Sequence, residues 1–431
     1  MSILGSTRRH YQSTLLRWAR FVAAPLLIAA ATWHCGPTAG GHPGSAPGRN
    51  VAQLDRNGDG QVSRAEFRGP PQRFRALDAD GDEYLSAEEL RGGRGGMPNS
   101  ESASAGRIPI IDTHVHLDVM AGRRPDYVGA AETAVETMDQ YGIQTAVIMS
   151  PPLPPGHPRP QNYRELLGVA RKFPGRFLVL AGGATLNPII QEAGQQNDIE
   201  PALRDRFRET AETLVAEGAA GFGELTALHF SFNSTHPFEM VRPDHPLFLL
   251  LSDVAGRHGV PIDLHMEAVA ADMAVPRELR DRSASNPARI PENITAFERL
   301  LDHNPKAAII WQHAGWDNTG SRSVQLMRRL LENHPNLFLA LKMSPLSVFK
   351  QHDPVQRGAG LRPEWRALIA RYPDRFVLGS DYFAPAPGFN RRRPPNLQPA
   401  LRIIELLPPA LKRKVAYENA RRLYRLRGAR K

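Results

Sequence analysis

A chain of 431 residues, 41% hydrophobic and 23% charged, has an ordinary globular composition and room for one large domain plus appendages. Its single cysteine excludes a framework of intrachain disulfides. The formal charge of +10 would suit a polyanion-binding protein, but its placement points elsewhere: Arg8, Arg9, Arg17 and Arg20 stand near the start without an acid among them, and further clusters sit at Arg391-Arg392-Arg393, Lys412-Arg413-Lys414 and Arg421 to Lys431. Basic runs at chain ends read as solvated faces unless they line a groove, so nucleic acid is not an expected partner.

In chain order, the first basic stretch leads into the apolar run Phe21 to Trp33 and the small residues Ala29-Ala30-Ala31. That order reads as an export signal over residues 1–34, and its 13-residue apolar run is shorter than the ~20 apolar residues of a bilayer span. Thr7-Arg8-Arg9-His10-Tyr11 loosely resembles a twin-arginine signal, with Gln12 where an apolar residue is usual. A lipid anchor on Cys35 is a weak alternative, because bulky Trp33 and His34 stand where a lipobox has small residues. The mature chain is therefore expected in the periplasm or outside the cell, without a transmembrane span.

Residues 35–50 read as a Gly/Pro/Ala linker, 51–90 as a small acidic module, and 91–107 as a second flexible linker. Within the module, residues 55–66 have the oxygen-ligand spacing of an EF-hand loop. Asp55, Asn57 and Asp59 would supply side-chain oxygens, Gln61 a backbone carbonyl, Ser63 a water-bridged position and Glu66 a bidentate carboxylate, with Gly60 at the sharp turn. Hard oxygen ligands at this spacing point to calcium. A second loop keeps Asp78, Asp80, Asp82, Tyr84, Ser86 and Glu89 but carries Glu83 at the turn, where a left-handed non-glycine costs ~1–2 kcal/mol, so weaker binding is expected. Val62 and Leu85 hold equivalent places and are expected to pair across a short bridge. The pair resembles compact bacterial EF-hands, and an exported location favours a structural calcium over a switch.

From residue 108 the texture changes, and the stretch to residue 427 reads as the main domain, with 428–431 a basic tail. Eight short apolar runs are predicted strands: Ile108–Asp112, Thr145–Met149, Arg176–Ala181, Gly218–Glu224, Pro261–His265, Ala307–Gln312, Leu337–Lys342 and Arg375–Gly379. Helix-period segments lie between them, among them Ala130–Tyr141, Leu203–Ala216, Pro246–His258, Ala296–His303 and Ser323–Asn333. Strands alternating with helices imply parallel pairing through crossovers, and eight repeats fit an α/β fold of the (β/α)8 TIM-barrel type. An open doubly wound sheet would call for a glycine-rich fingerprint after the first strand, and none is present.

Six polar residues end these runs: His114 and His116 on the first, Glu224 on the fourth, His265 on the fifth, His313 on the sixth and Asp381 on the eighth. Residues two apart on a strand share a face, so His114-Val115-His116 aims two imidazoles at one point. In a parallel barrel the C-terminal strand ends meet at one mouth, and an imidazole and carboxylate set there suits Zn, Mn, Fe or Ni.

At these residues the chain resembles the metal-dependent amidohydrolase superfamily. The likeness runs over Asp112-Thr113-His114-Val115-His116, Gly223-Glu224-Leu225, Pro261 to His265, His313-Ala314-Gly315, Pro373 to Asp381 and the closing Tyr417 to Leu423. The resemblance implies that His114 and His116 bind the metal with His265 as a third nitrogen ligand. It implies that Asp381 touches the metal and takes the proton from bound water. His313 would hold a second ion or polarise the substrate carbonyl. Some branches carry a carboxylated lysine on strand four; here Glu224 stands instead, either bridging two ions or serving as a supporting or helix-capping carboxylate.

The expected activity is hydrolysis of an amide, ester or lactone of a small molecule, with one or two divalent transition metals, zinc foremost. Decarboxylation of an aromatic or unsaturated acid is the alternative reaction. A different reading makes the barrel an inactive scaffold that docks partners through the EF-hand pair in a calcium-dependent way; intact Asp381 argues against it. Lys342 would bind an anionic substrate or pair with a loop carboxylate, and Trp316 would contact substrate. His229, Phe230, Phe232, Tyr382 and Phe383, together with the proline-rich Met149 to Pro155, are candidates for the mouth's walls. A homo-oligomer is left open.

Overall fold

The structure, a computed structural model, describes residues 54–56, 62–67, 69, 74, 77, 84–85, 90, 108–120, 124–158, 161–233, 236–356, 358, 360–388 and 397–426. The chain divides into two units at Arg49/Asn50, and the first, with the expected export signal and Cys35, lies outside the described residues. So do the calcium candidates Asn57, Asp59, Gln61, Asp78, Asp80, Asp82 and Glu89. Among the described residues no helix is long and apolar enough to cross a membrane.

What is described of the acidic module matches its expected bridge. Val62–Ser63 pairs antiparallel with Tyr84–Leu85, and Val62 faces Leu85. Leu54, Val62, Phe67, Phe74 and Leu85 form a small apolar core, with the rings of Phe67 and Phe74 edge to face at 5.4 Å. Glu66 is fastened at the loop exit: one carboxylate oxygen accepts from Arg56 N at 3.0 Å, and the other from Ser63 N at 2.8 Å and Ser63 Oγ at 2.6 Å. The Glu66 bond back to the Ser63 N–H has the form of half a capping box and holds the turn that ends the first loop.

All eight predicted strands form. They are β1 Ile110–Asp118, β2 Ile143–Met149, β3 Phe177–Gly182, β4 Gly221–His229, β5 Ile262–Met266, β6 Ile309–Ala314, β7 Leu337–Leu341 and β8 Phe376–Leu378. Each pairs in parallel with the next, and β8 returns to β1 through Leu378 and Asp112, so the sheet closes. The eighth strand resumes after Asp381 as Tyr382–Pro385, which pairs with Val115 to Asp118 of β1. The crossover helices are α1 Tyr127–Tyr141, α2 Tyr163–Lys172, α3 Pro201–Ala216, α4 Pro246–His258, α5 Ile294–His303, α6 Val324–Asn333 and α7 Pro363–Arg371, followed by α8 Gln398–Glu405. Their ends follow local chemistry: the Asp126 side chain caps α1 through Gly129 N, left-handed Gly142 ends it, and Ser323 caps α6 through Leu326 N.

Two apolar layers hold the barrel. The outer one packs the helices on the sheet and buries Phe207, Phe222, Phe248, Phe297, Trp311 and Trp365. The inner one takes Ile111, Val147, Met149, Leu180, Ile310, Ala340 and Val377 from the strands and Ala420 and Tyr424 from the C-terminal helical segment, which closes the barrel at the strand N-termini. The opposite end is left for polar side chains.

Three strands carry one extra residue at the positions that matter here. Along β1, Asp112 and Val115 face Ala146 and Ile148 of β2, so three steps on one strand match two on the other. The same mismatch spans Phe222 to Leu225 on β4 and Trp311 to Ala314 on β6. Such bulges reverse which face a side chain takes. Ile111 points inward; without the bulge Thr113 and Val115 would follow it. With it, His114 and His116 turn inward, and Val115 and Leu117 join the outer layer.

Candidate metal centre

The two β1 histidines are held by their outer nitrogens. His114 Nδ1 donates to Asp263 Oδ2 at 3.1 Å, and His116 Nδ1 donates to the Met149 carbonyl at 3.0 Å. With both Nδ1 atoms protonated, both Nε2 lone pairs face inward, and they stand 3.1 Å apart. Two neutral imidazoles hold that contact only around a shared cation, whether proton or metal, and a carboxylate behind a ligating histidine is the usual device for aiming it.

Glu224 occupies the middle. Its Oε2 lies 3.3 Å from His116 Nε2 and 3.5 Å from His114 Nε2, while its Oε1 lies 2.9 Å from His265 Nδ1 and 3.7 Å from His313 Nε2. His265 Nδ1 and His313 Nε2 are themselves 3.1 Å apart. The donors thus form two groups, His114/His116/Glu224 and His265/His313/Glu224, with ligand atoms within 4.8 Å in each. His265 falls in the second group beside His313, not next to His116. Each carboxylate oxygen of Glu224 serves one group.

Asp381 completes the first group from the other side, its Oδ1 3.4 Å from His116 Nε2 and 3.8 Å from His114 Nε2. Its other oxygen takes the ammonium of Lys342, which also lies 3.8 Å over the Trp316 ring. Asp381 N donates to the His114 carbonyl at 2.9 Å, and the neighbouring Ser380 is bound through N and Oγ to Asp112 at 3.0 and 2.5 Å. Asp381 and His313 both take left-handed backbone, with φ of 57° and 65°. For a non-glycine residue that costs on the order of 1–3 kcal/mol and persists only where the surroundings impose it. At His313 the imposing group is Arg322, which is buried and whose Nη1 donates to the carbonyls of Gln312 and His313 at 2.6 and 2.7 Å.

The electrostatics favour a cation at the centre. Burial disfavours a charged His114, but the carboxylates of Asp263 and Glu224 outweigh it and hold the imidazole well above its ordinary pKa. His116 is raised the same way, against burial, by Asp381 and Glu224. Burial pushes Glu224 and Asp381 upward, yet His114 draws Glu224, and Lys342 draws Asp381, well below the usual carboxylate range. His313 is pushed far down by burial and then by the Lys342 cation, so it is neutral, with its Nε2 facing the second group. Imidazole nitrogens and carboxylate oxygens without thiolate suit borderline divalent transition metals. The opposed lone pairs, the buried negative charge and the absence of any closer counter-cation for Glu224 among the described residues all fit such an ion. Two surface clefts, one beside Ile108 and Gly142 and one beside Gln144 and Arg176, lie at the strand N-termini and have no part in this site.

The sequence reading missed the braces behind the ligands. Asp263 accepts from His114 and from Gln312 Nε2 at 2.5 Å, and Asp112 accepts from His114 N at 3.2 Å as well as from Ser380. A signal existed: Asp112 and Asp263 each precede a candidate histidine by two residues. His236, not among the sequence candidates, stands beside His229. Their ring centroids lie 4.4 Å apart, and His229 sits 4.3 Å from His265. The structure sorts the remaining candidates. Phe232 stacks on Trp316 and Phe383 packs on His116, whereas Phe230 is fully buried against Phe238, and Tyr382 turns outward to Thr137 on α1.

The amidohydrolase family profile matches residues 111–426, and the EF-hand profile matches residues 52–69 and 72–92. No curated protein matches the chain. Among solved structures, a Staphylococcus aureus protein assigned as an amidohydrolase is similar over 74% of this chain and 100% of its own, at 16% identity and a TM-score of 0.41. A 2,6-dihydroxybenzoate decarboxylase with 2,6-dihydroxybenzoate bound is similar over 74% and 100%, at 18% identity and 0.39. A D-hydantoinase (dihydropyrimidinase) from Thermus sp. is similar over 73% and 70%, at 14% identity and 0.40. The fold itself rests on the strand pairing above.

Proposed function

The chain belongs to the amidohydrolase family, and from that premise we propose that it is an exported, metal-dependent hydrolase acting on the amide, ester or lactone carbonyl of a small molecule. The observation that carries the reading is Glu224, one carboxylate shared between two imidazole pairs, with Asp381 across the first pair. Held by His114, His116 and Asp381, and by His265 and His313 with Glu224 between, a divalent transition metal (zinc foremost, one ion or two) would acidify water and polarise a carbonyl. Asp381, ionised because Lys342 and His116 outweigh its burial, is placed to accept the proton of the attacking water. Lys342 steadies that carboxylate and supplies positive charge beside the carbonyl oxygen as it becomes negative. Asp263 and the Met149 carbonyl keep both β1 imidazoles in the tautomer that presents Nε2.

We assign the EF-hand pair to structural calcium. Its support is the Val62–Leu85 bridge and a Glu66 carboxylate already fastened at the end of the first loop. Export rests on the basic and apolar run before residue 35.

The test is elemental analysis of the purified chain after dialysis against calcium-free buffer, followed by turnover on esters, lactones, amides and carboxylic acids. The expected result is about one or two equivalents of transition metal per chain, lost in His114→Ala/His116→Ala, with hydrolysis that follows the metal. A chain that holds no transition metal and cannot be reconstituted sinks the reading. Release of CO2 without any carbonyl hydrolysis would replace it with decarboxylation.

A further inference from the structure

Above the metal centre the mouth is lined by a stack of four side chains drawn from four segments. Lys342, after β7, sits 3.8 Å over the ring of Trp316, after β6. Trp316 stacks on Phe232, after β4, at 5.5 Å and 29°. The guanidinium of Arg282, from the short helix Arg277–Arg282 in the β5–α5 connection, lies 5.3 Å over the ring of Phe232. The inner end of the stack is joined to the site, since Lys342 pairs with Asp381 and Trp316 packs 5.5 Å from the His313 ring.

The outer end is built with equal care. Ser231, next to Phe232, is fully buried and tied to the Arg282 segment: its N donates to Asn286 Oδ1 at 2.8 Å, its carbonyl accepts from Asn286 Nδ2 at 2.8 Å, and its Oγ donates to Ser283 Oγ at 2.7 Å. Asn286 Nδ2 also donates to the Leu279 carbonyl at 2.7 Å, fastening the short helix. The ring and the guanidinium are therefore locked together. Yet the two cations differ. Lys342 has a carboxylate; Arg282 has none among the described residues, donating through one Nη2 to the Leu346 carbonyl at 3.3 Å while its buried Nη1 has no acceptor. A half-buried guanidinium without a carboxylate keeps its charge for a partner from outside, which reaches it by the edge away from the buried Nη1. The group that matches its planar fork is a carboxylate.

We propose that Arg282 is the anion-binding end of the substrate site, and that the substrate is an organic acid. Its carboxylate sits on Arg282, its apolar or planar body lies along the Phe232–Trp316 wall, and its reacting carbonyl reaches the metal centre. The position of that carbonyl rests on the hydrolase reading; the carboxylate site does not, and binding alone tests it.

The experiment titrates the metal-loaded full chain calorimetrically with 3-phenylpropionate and with 3-phenylpropanamide, which differ only in the anion. A charged hydrogen bond of the expected strength makes the acid bind about tenfold or more tighter than the amide. Arg282→Gln should bring the two within about twofold while metal content and circular dichroism stay as in the parent, and Arg282→Lys should keep part of the preference. Equal binding of acid and amide by the parent, no binding of either, or a preference that survives Arg282→Gln would each overturn the proposal; the last would place the carboxylate on the metal instead. A chain that keeps the preference but hydrolyses no ester, lactone or amide sinks the hydrolase reading and leaves the carboxylate site standing.

Discussion

Replacing Glu239 with glutamine should make the protein more stable at alkaline pH and leave it unchanged in acid. Glu239 is buried beyond the end of β4, where its Oε1 accepts from Asn187 Nδ2 at 3.0 Å and its Oε2 has no partner among the described residues. Burial raises its pKa from 4.5 to about 7; the Asn187 bond opposes this and the charge of Glu224 adds to it. For a carboxyl whose folded pKa is raised, the folded state holds a proton that the unfolded state has released, so stability falls as pH rises between the two values. At about 1.4 kcal/mol per unit, the loss between pH 4.5 and 7 amounts to about 3 kcal/mol. Glutamine keeps the Asn187 acceptor and carries no charge to desolvate, so Glu239→Gln should recover most of that loss at pH 8 and nothing at pH 4. Urea unfolding of parent and variant across this range measures it. Parallel stability curves would refute the reasoning and mean that Glu239 is ionised with a partner in solution.

Three further outcomes follow from the centre. Asp381→Asn should lower kcat by about 10²–10⁴-fold, the span of a lost general base, while most bound metal and the circular dichroism spectrum are retained; an active variant removes Asp381 from that role. Asp263→Asn should weaken metal binding by about 10–100-fold in a chelator competition, because His114 loses the carboxylate that aims it; unchanged affinity would show that the histidine is held by packing alone. Arg322→Met should lower the stability of the barrel by about 3 kcal/mol or more, since the carbonyls of Met266, Gln312 and His313 lose a shared donor and Glu267 and Asp317 lose a cation; a urea midpoint equal to the parent's would end that account.

Much of the barrel was legible because its evidence is local. Short β-branched and leucine-rich runs alternate with segments of helical period, and caps such as Ser323 and Gly142 stand at the boundaries. The His-x-His pair and the four later polar residues were legible for the same reason, each ending an apolar run. Strand lengths were less so: β1 and β4 run on to Asp118 and His229, so His114, His116 and Glu224 lie within strands and not at their last residues. The apolar run starts at Ile108, whereas pairing starts at Ile110.

Side-chain partners were the least legible part. Lys342 was an open choice between a substrate and a loop carboxylate; folding brings it to Asp381, 39 residues away, across the closing strands. Arg282, Phe232 and Trp316 come from three connections, and only the closed barrel sets those connections side by side.

The sequence by itself determined the periodicity, hence the eight strands and their helices, and the identity of the residues at the mouth. It also set out the EF-hand spacing whose bridge forms at Val62 and Leu85. The tertiary structure alone decided which way those residues point. A strand's two-residue period assigns Thr113, not His114, to the face of Ile111; the extra residue on β1 reverses that parity, and those on β4 and β6 stand at Glu224 and His313. A bulge arises from the register between neighbouring strands, which no single strand's sequence contains, and so the inward turn of the site's ligands is a property of the closed sheet.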